Sequence, residues 1–238
     1  VEKEEKMKNQ NKRISLCVIV QLLIFIVVIP FLPLFISWYW DWWEAWVYGI
    51  ICILGFVISR VAAARRHPDL LAERARFLRH ENATQWDKIL APLVGLGGGL
   101  IPLVAGLDAL FHWSPSFHYV VKISALIIML AGYVLSSYAL IENRYFSGMV
   151  RIQTDRDHRV VSSGPYRWIR HPGYAGALLT CLVTPVFLDT LWAFFPAVFL
   201  TIVLVIRTRL EDKTLQNQLE GYLDYTRKVR YRLLPGVW

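Results

Sequence analysis

Cysteine, acid and charge within its apolar runs are what this chain has little of. Three cysteines occur in 238 residues, and Cys17, Cys52 and Cys181 all fall in apolar runs. Their spacing fits neither a disulfide framework nor a zinc site. They read as small packing or lipid-facing residues, and no metal is expected. Asp and Glu number 18 against 26 Lys and Arg, for a net charge of +8. In a soluble protein that excess would suggest nucleic acid. Here 55% of residues are hydrophobic and 18% charged, with a mean hydropathy of +0.40. The excess therefore belongs to the basic loops of a multispan protein, and no nucleic-acid partner is expected. Internal repeats and low-complexity linkers are absent. So is a small-residue cleavage site after the first apolar run, which is expected to be retained. Charges are scarce in mid-run. Asp108, the main acid there, lies near a run's end, which argues against coupled transport. Gly97-Gly98-Gly99 lacks the Lys-Ser/Thr ending of a phosphate loop, which argues against a nucleotide site there.

What is there is apolar length. Runs over Ile14 to Ser37, Ala45 to Ala64, Ile89 to Phe111 and Tyr119 to Ile141 approach the roughly 20 residues a bilayer requires. Pro30 and Pro33 place a kink in the first. Trp38, Tyr39, Trp40, Trp42, Trp43 and Trp46 follow it as an interfacial aromatic belt. Pro68 is placed to start a short interfacial helix. Gly95, Gly97, Gly98 and Gly99 predict a smooth face for close helix contact. The run from Gly176 to Ile206 is too long for one ordinary span. Pro185, Asp189 and Thr190 interrupt it, which predicts a tight hairpin of two helices, or else one broken span. All but one of the 26 Lys and Arg fall in the amino-terminal tail, residues 60–88, 144–170 and 207–232. The connections near Asp41, Trp113 and Asp189 carry none beyond Lys122, near the start of the fourth run. This alternation predicts an all-α, polytopic bundle of about six transmembrane helices, with both termini and the site on the cytoplasmic face.

One stretch is richer than an anchor needs. Gly164-Pro165-Tyr166-Arg167-Trp168-Ile169-Arg170-His171-Pro172-Gly173-Tyr174-Ala175-Gly176 packs cations, a histidine and tyrosines between apolar runs. Its glycines and prolines dictate a turning backbone path. Arg170 and His171 are thereby presented at the mouth of the following run. At the end of the hairpin, Arg207 and Glu211 are i and i+4 and share a helix face. The hairpin should bring Arg207 close to His171. Ionisable groups facing a bundle interior mark a site.

Gly-Pro-Tyr, then Arg170-His171-Pro172-x-Tyr174-x-Gly176, an apolar hairpin, Arg207-x-x-x-Glu211-Asp212, Tyr222-x-x-Tyr225 and a terminal Leu-Pro-x-x-Trp together resemble the isoprenylcysteine carboxyl methyltransferase family, most closely its bacterial and archaeal members. The resemblance is specific from about Asn143 to Trp238. It implies an S-adenosylmethionine site, with S-adenosylhomocysteine as product. His158, Arg159, Val160 and Val161 match the segment lining that site. Tyr166 matches the Gly-x-Tyr tyrosine, and His171, Pro172, Gly173 and Tyr174 the His-Pro-x-Tyr element. Glu211 matches the acid that completes the pocket. Arg207 matches the arginine assigned to catalysis and to the substrate carboxylate. Either Gln153 or Arg151 stands for a glutamine just upstream. Glu211-Asp212 replaces the usual Glu-Glu pair.

The resemblance also implies a division of the chain. A cytoplasmic tail (1–13) precedes four transmembrane helices (14–141) with a cytoplasmic loop at 65–88. A methyltransferase catalytic region (142–238) follows, with the hairpin and an amphipathic end. A carboxylate acceptor is already a nucleophile, so positioning and field are the protein's task, and a guanidinium suits carboxylate orientation. The expected acceptor is a lipid-like or prenylated small molecule or protein, met among membrane lipids. In a prokaryote the location would be the cell (inner) membrane. Other readings are a phospholipid or amine methyltransferase, an NADPH-dependent sterol-type reductase, and a non-catalytic transporter or adaptor.

Overall fold

Proline decides how the first run joins the bundle. The structure, a computed structural model, describes residues 24–75 and 83–238. The expected tail, the first half of the first run, Cys17, and Arg76 and Arg79 lie outside the described residues. From Ile24 the chain makes a π-helical turn, then a 3-10 turn over Ile29–Phe31, then α1, Leu32–Ser37. Pro30 and Pro33 sit where these helical forms change. A proline withdraws one N–H and displaces the carbonyl a turn before it, so the path kinks there. Trp38, left-handed at φ 54°, ends α1.

Seven further helices follow: α2 (Trp43–Arg66), α3 (Pro68–Ala75), α4 (Asp87–Phe111), α5 (Tyr119–Glu142), α6 (Pro172–Phe187), α7 (Phe194–Gln218) and α8 (Tyr222–Lys228). Among the described residues there is no strand. By length and composition α2, α4 and α5 are able to cross a bilayer. At 16 residues, α6 reaches only about 24 Å. The outer surface is apolar, with Leu54, Ile58, Ile127, Val134 and Ile202 all exposed. A surface of that kind suits lipid and not water, and the protein is an integral membrane helix bundle.

The run from Gly176 to Ile206 is two helices, not one broken span. Leu188 to Ala193 make the turn, and Asp189 takes the left-handed conformation at φ 53°. The expected interfacial helix begins at Pro68, where proline's missing N–H costs nothing. The closest packing joins α5 to α6. A Cβ on Gly132 would lie 2.6 Å from the Gly176 carbonyl, and one on Gly176 2.4 Å from the Gly132 carbonyl. Only glycine at both positions lets these backbones touch. Two of the four α4 glycines meet a neighbour among the described residues. Gly97 meets Leu200 of α7 and Gly99 has Ile29 at 3.8 Å, whereas Gly95 and Gly98 have no neighbour within 4 Å among the described residues. A four-residue cluster of small residues cannot point one way on a helix of 3.6 residues per turn.

The core runs the length of the bundle through Leu34, Met129, Phe187, Leu188 and Leu204. At one end, near the α6–α7 turn, the exposed belt of Trp38, Tyr39, Trp40, Trp43 and Trp46 meets a second aromatic group, Phe111, Trp113, Trp192 and Phe195. The opposite end carries the segment 143–171 and the carboxy-terminal segment, and it builds the site.

Candidate functional site

The site is assembled from turns closed by the carboxy-terminal segment. Gly164 opens a 3-10 turn at φ 56°, and a side chain there would strike Glu142 and Tyr138. The turn, Gly164–Arg167, buries Tyr166. The Tyr166 hydroxyl donates to the Ala139 carbonyl at 3.3 Å and accepts from Asn143 Nδ2 at 3.2 Å. Burial pushes that phenol far above its ordinary range. The Tyr225 hydroxyl donates to the Tyr166 carbonyl at 2.6 Å. The next residues are held from outside: Arg170 N–H donates to the Tyr231 carbonyl and His171 N–H to that of Arg232, both at 2.9 Å. His171 then precedes α6, with Pro172 as its first residue. The backbone N–H groups of Tyr174 and Ala175 both turn back to the His171 carbonyl.

Asp212 fixes this arrangement. Its carboxylate is buried and meets Arg170 Nε at 2.9 Å, Arg232 Nε at 2.9 Å and His171 Nε2 at 3.3 Å. It also accepts from the Tyr222 hydroxyl at 3.0 Å and from Gln216 Nε2 at 2.8 Å. Burial alone would raise its pKa, but His171, Arg232 and Arg170 hold it well below the usual carboxylate range. Glu211 next to it has a different fate. Its side chain is 23% exposed and accepts from the Tyr174 hydroxyl at 2.6 Å. Its other oxygen stands 4.0 Å from His171 Nδ1. One acid of the pair holds the fold, and the other faces the cavity.

The opposite wall comes from segment 145–161. Tyr145 stacks on His158 with centroids 4.5 Å apart, and its hydroxyl donates to the Asp157 carbonyl at 2.6 Å. The Gln153 backbone N–H donates to His158 Nδ1 at 3.3 Å. Burial, then the cations Arg151 and Arg156, lower His158 to about 4. Arg151 and Gln153, the two alternatives for one position, both line the cavity and both are occupied. Arg151 pairs with Glu73 at 2.8 Å and Asp155 at 2.7 Å. Gln153 Nε2 donates to the Tyr145 carbonyl at 2.7 Å, and its Oε1 accepts from Arg156.

Between these walls lies about 800 Å³ of space, counting the part open to solvent. His158, Arg159, Val160, Val161, Tyr166, His171, Gly173, Tyr174 and Glu211 all line it. Two of the expected residues do not. Pro172 starts α6 behind the wall. Arg207 sits behind Tyr174, its Cζ 5.5 Å from that ring's centroid. Its Nε and Nη2 grip Asp87 at 2.7 and 2.9 Å, and Nη2 also donates to the Gly148 carbonyl at 2.8 Å. The ring that Arg207 meets is thus Tyr174, three residues beyond His171. Sequence reasoning missed Asp87, whose place in the first turn of α4 is also where a helix takes an ordinary acid. It also missed Asp212 as the hub. Its donors Arg170, His171, Tyr222 and Arg232 come from separate parts of the chain, and no sequence signal marks them as its partners.

An acid facing inward, tyrosine and aliphatic walls and an exposed Arg159 make a cavity for a molecule with polar ends and a flat apolar part. The isoprenylcysteine carboxyl methyltransferase (ICMT) family matches over residues 125–217. A probable protein-S-isoprenylcysteine O-methyltransferase of Oryza sativa subsp. indica is 30% identical over 163 residues, covering 64% of this chain and 80% of that one. The protein-S-isoprenylcysteine O-methyltransferase of Saccharomyces cerevisiae is 28% identical over 131 residues, covering 50% of this chain and 51% of that one. The solved structure of the eukaryotic intramembrane Ras methyltransferase ICMT aligns over 94% of this chain and 87% of that one, at 18% identity and a TM-score of 0.45.

Proposed function

The chain belongs to the isoprenylcysteine carboxyl methyltransferase family, and from that premise we propose that it methylates the carboxylate of a lipid-like, isoprenylcysteine-type acceptor, with S-adenosylmethionine as donor, at the cytoplasmic end of the bundle. One observation carries the reading. Glu211, Tyr174, His171, Tyr166 and the segment 158–161 converge on a single cavity next to an apolar hairpin. That cavity fits the donor by chemistry. Glu211 accepts from Tyr174 and keeps capacity for an ammonium or ribose hydroxyls. Val160, Leu215, Leu219 and the tyrosines offer a floor for a flat base. Arg159 is the cation at hand for the donor's carboxylate.

S-adenosylmethionine supplies, when bound, an activated methyl group on a sulfonium: its C–S bond breaks as the acceptor's C–O bond forms, leaving S-adenosylhomocysteine and an ester. The chain contributes placement. His171, tied to Asp212 through Nε2, presents Nδ1 towards Glu211. Tyr174 fixes the Glu211 carboxylate and separates it from Arg207. Arg207 orients the acceptor, and Asp87 holds one edge of its guanidinium through Nε and Nη2. Its Nη1 makes no hydrogen bond among the described residues.

The test is transfer of labelled methyl from S-adenosylmethionine to N-acetyl-S-farnesylcysteine by the full chain in nanodiscs. Arg207→Ala should lower kcat/KM by about 100-fold or more, as loss of a charged orienting contact does. Its S-adenosylhomocysteine affinity should hold. Arg207→Ala turnover at the native rate would remove the role of Arg207, and no turnover by the native chain would remove the proposed reaction.

A further inference from the structure

Buried and half-buried cations at this end of the bundle are matched with acids almost one for one. Arg151 has Glu73 and Asp155, Arg156 has Asp69, and Arg207 has Asp87. Arg170 and Arg232 share Asp212. Two guanidiniums break the pattern. Arg60, near the end of α2, meets the Ser59 hydroxyl at 3.4 Å and the Phe56 ring at 4.5 Å. Arg74, on α3, donates to the Phe146 carbonyl at 3.1 Å and lies 5.5 Å from the Phe146 ring. Neither has a carboxylate among the described residues, and both are only part-buried. Burial, then the charges of Arg60 and Arg207, lower Arg74 to about 9. The helix joint between them also holds His67, whose Nε2 is buried without a hydrogen-bond partner among the described residues.

Phe146 connects these cations to the site. Its ring packs where a Cβ on Gly173 would fall, at 2.6 Å, and it lines the cavity. Arg74 grips its carbonyl, and Arg207 grips the carbonyl of Gly148 two residues on. One short segment thus has a guanidinium at each end. A partly desolvated pair of like charges with no acid beside it is costly unless an anion completes it. The apolar surface of α2 runs away from Arg60 through Val57 and Leu54, both exposed. An anion on an apolar tail would lay that tail along α2 and bring its head to these arginines.

We propose that Arg60 and Arg74 form an anion-binding subsite that receives the acceptor's carboxylate beside Arg207 and selects acidic over neutral lipid-like acceptors. The proposal rests on the methyltransferase reading for the acceptor's identity but is tested without turnover. Both residues lie outside the 125–217 segment that matches the family.

The probes are N-acetyl-S-farnesylcysteine and its carboxamide, which share tail and shape and differ in charge. Binding of each is measured to the full chain in neutral-lipid nanodiscs without donor. The native protein should bind the acid about tenfold more tightly than the amide, the scale of one charge-assisted hydrogen-bonded contact. Arg74→Gln and Arg60→Gln should each remove most of that preference, leaving amide binding and S-adenosylhomocysteine affinity within about twofold. If Arg74→Gln does not fold, Arg74→Lys keeps the charge without the fork and should retain only part of the preference. Equal binding of acid and amide by the native chain overturns the subsite, as does undiminished preference in the variants. Variants that lose only a stabilisation by added phosphatidylglycerol, and keep the acid preference, assign the arginines to bilayer phosphate and also overturn it. Acid preference without methyl transfer would count against the reaction alone.

Discussion

Both ends of the bundle bury charge, and they do it to different effect. At the end with the aromatic belt, Lys122 bridges Glu44 and Asp189, at 2.8 Å to the latter. Asp108, 2% exposed, accepts from the Ser114 backbone at 2.9 Å, its hydroxyl at 2.6 Å, and the Thr190 hydroxyl. These groups close on one another and pin the α6–α7 turn to the ends of α4 and α5. At the other end Asp212 is just as saturated, but its network surrounds a cavity. It leaves Glu211 and Arg159, both on the cavity wall, with bonding capacity to spare among the described residues. Buried charge by itself therefore does not mark a site. Residual bonding capacity facing a space does.

The largest expected effect tests the hub. Asp212→Ala strands Arg170 in the interior and unties Arg232, His171 and Tyr222. Removing one partner of a buried pair costs about 3–5 kcal/mol, so thermal unfolding in detergent should show a strongly destabilised chain. An unchanged midpoint would mean that Asp212 is dispensable and that the two ends differ in kind. Asp108→Asn at the belt end should cost less, about 1–3 kcal/mol, and leave S-adenosylhomocysteine affinity unchanged. A loss of affinity there would break the division between a structural and a functional end.

The smallest effect concerns pH. His158 titrates at about 4 in the folded chain against about 6.5 unfolded. The unfolded chain therefore takes up the proton first as pH falls. The stability tied to neutral His158 is complete above pH 6.5 and is lost as pH falls towards 4. The unfolding midpoint should fall over that window, and less steeply in His158→Gln. Parallel curves would show that the ring's burial against Tyr145 has no energetic weight.

What could be read from the sequence was whatever is local. Pro68, the Pro185-to-Thr190 interruption and the Gly164-to-Gly176 stretch act on the backbone within a few residues, and the structure places a helix start, a hairpin turn and the site's turns there. The i, i+4 relation of Arg207 and Glu211 held as well, on one continuous helix. What could not be read was long-range pairing. Asp87 is 120 residues from Arg207, and Glu73 is 78 from Arg151. Nothing in either neighbourhood names the partner. The same gap hid the role of Asp212, whose partners Arg170 and Arg232 stand 42 and 20 residues away. Composition also cannot say which of the four α4 glycines meets which neighbour, as Gly97 meets Leu200 and Gly99 meets Ile29.

The central claim is that the cavity at the Glu211 end holds the methyl donor. Calorimetric titration of S-adenosylhomocysteine into the detergent-purified chain, beside Glu211→Ala and His171→Ala, tests it most directly. Binding to the native chain, weakened by about tenfold or more in both variants while each still unfolds cooperatively, is the predicted result. No binding to a well-folded native chain, or equal affinity in all three, would contradict it.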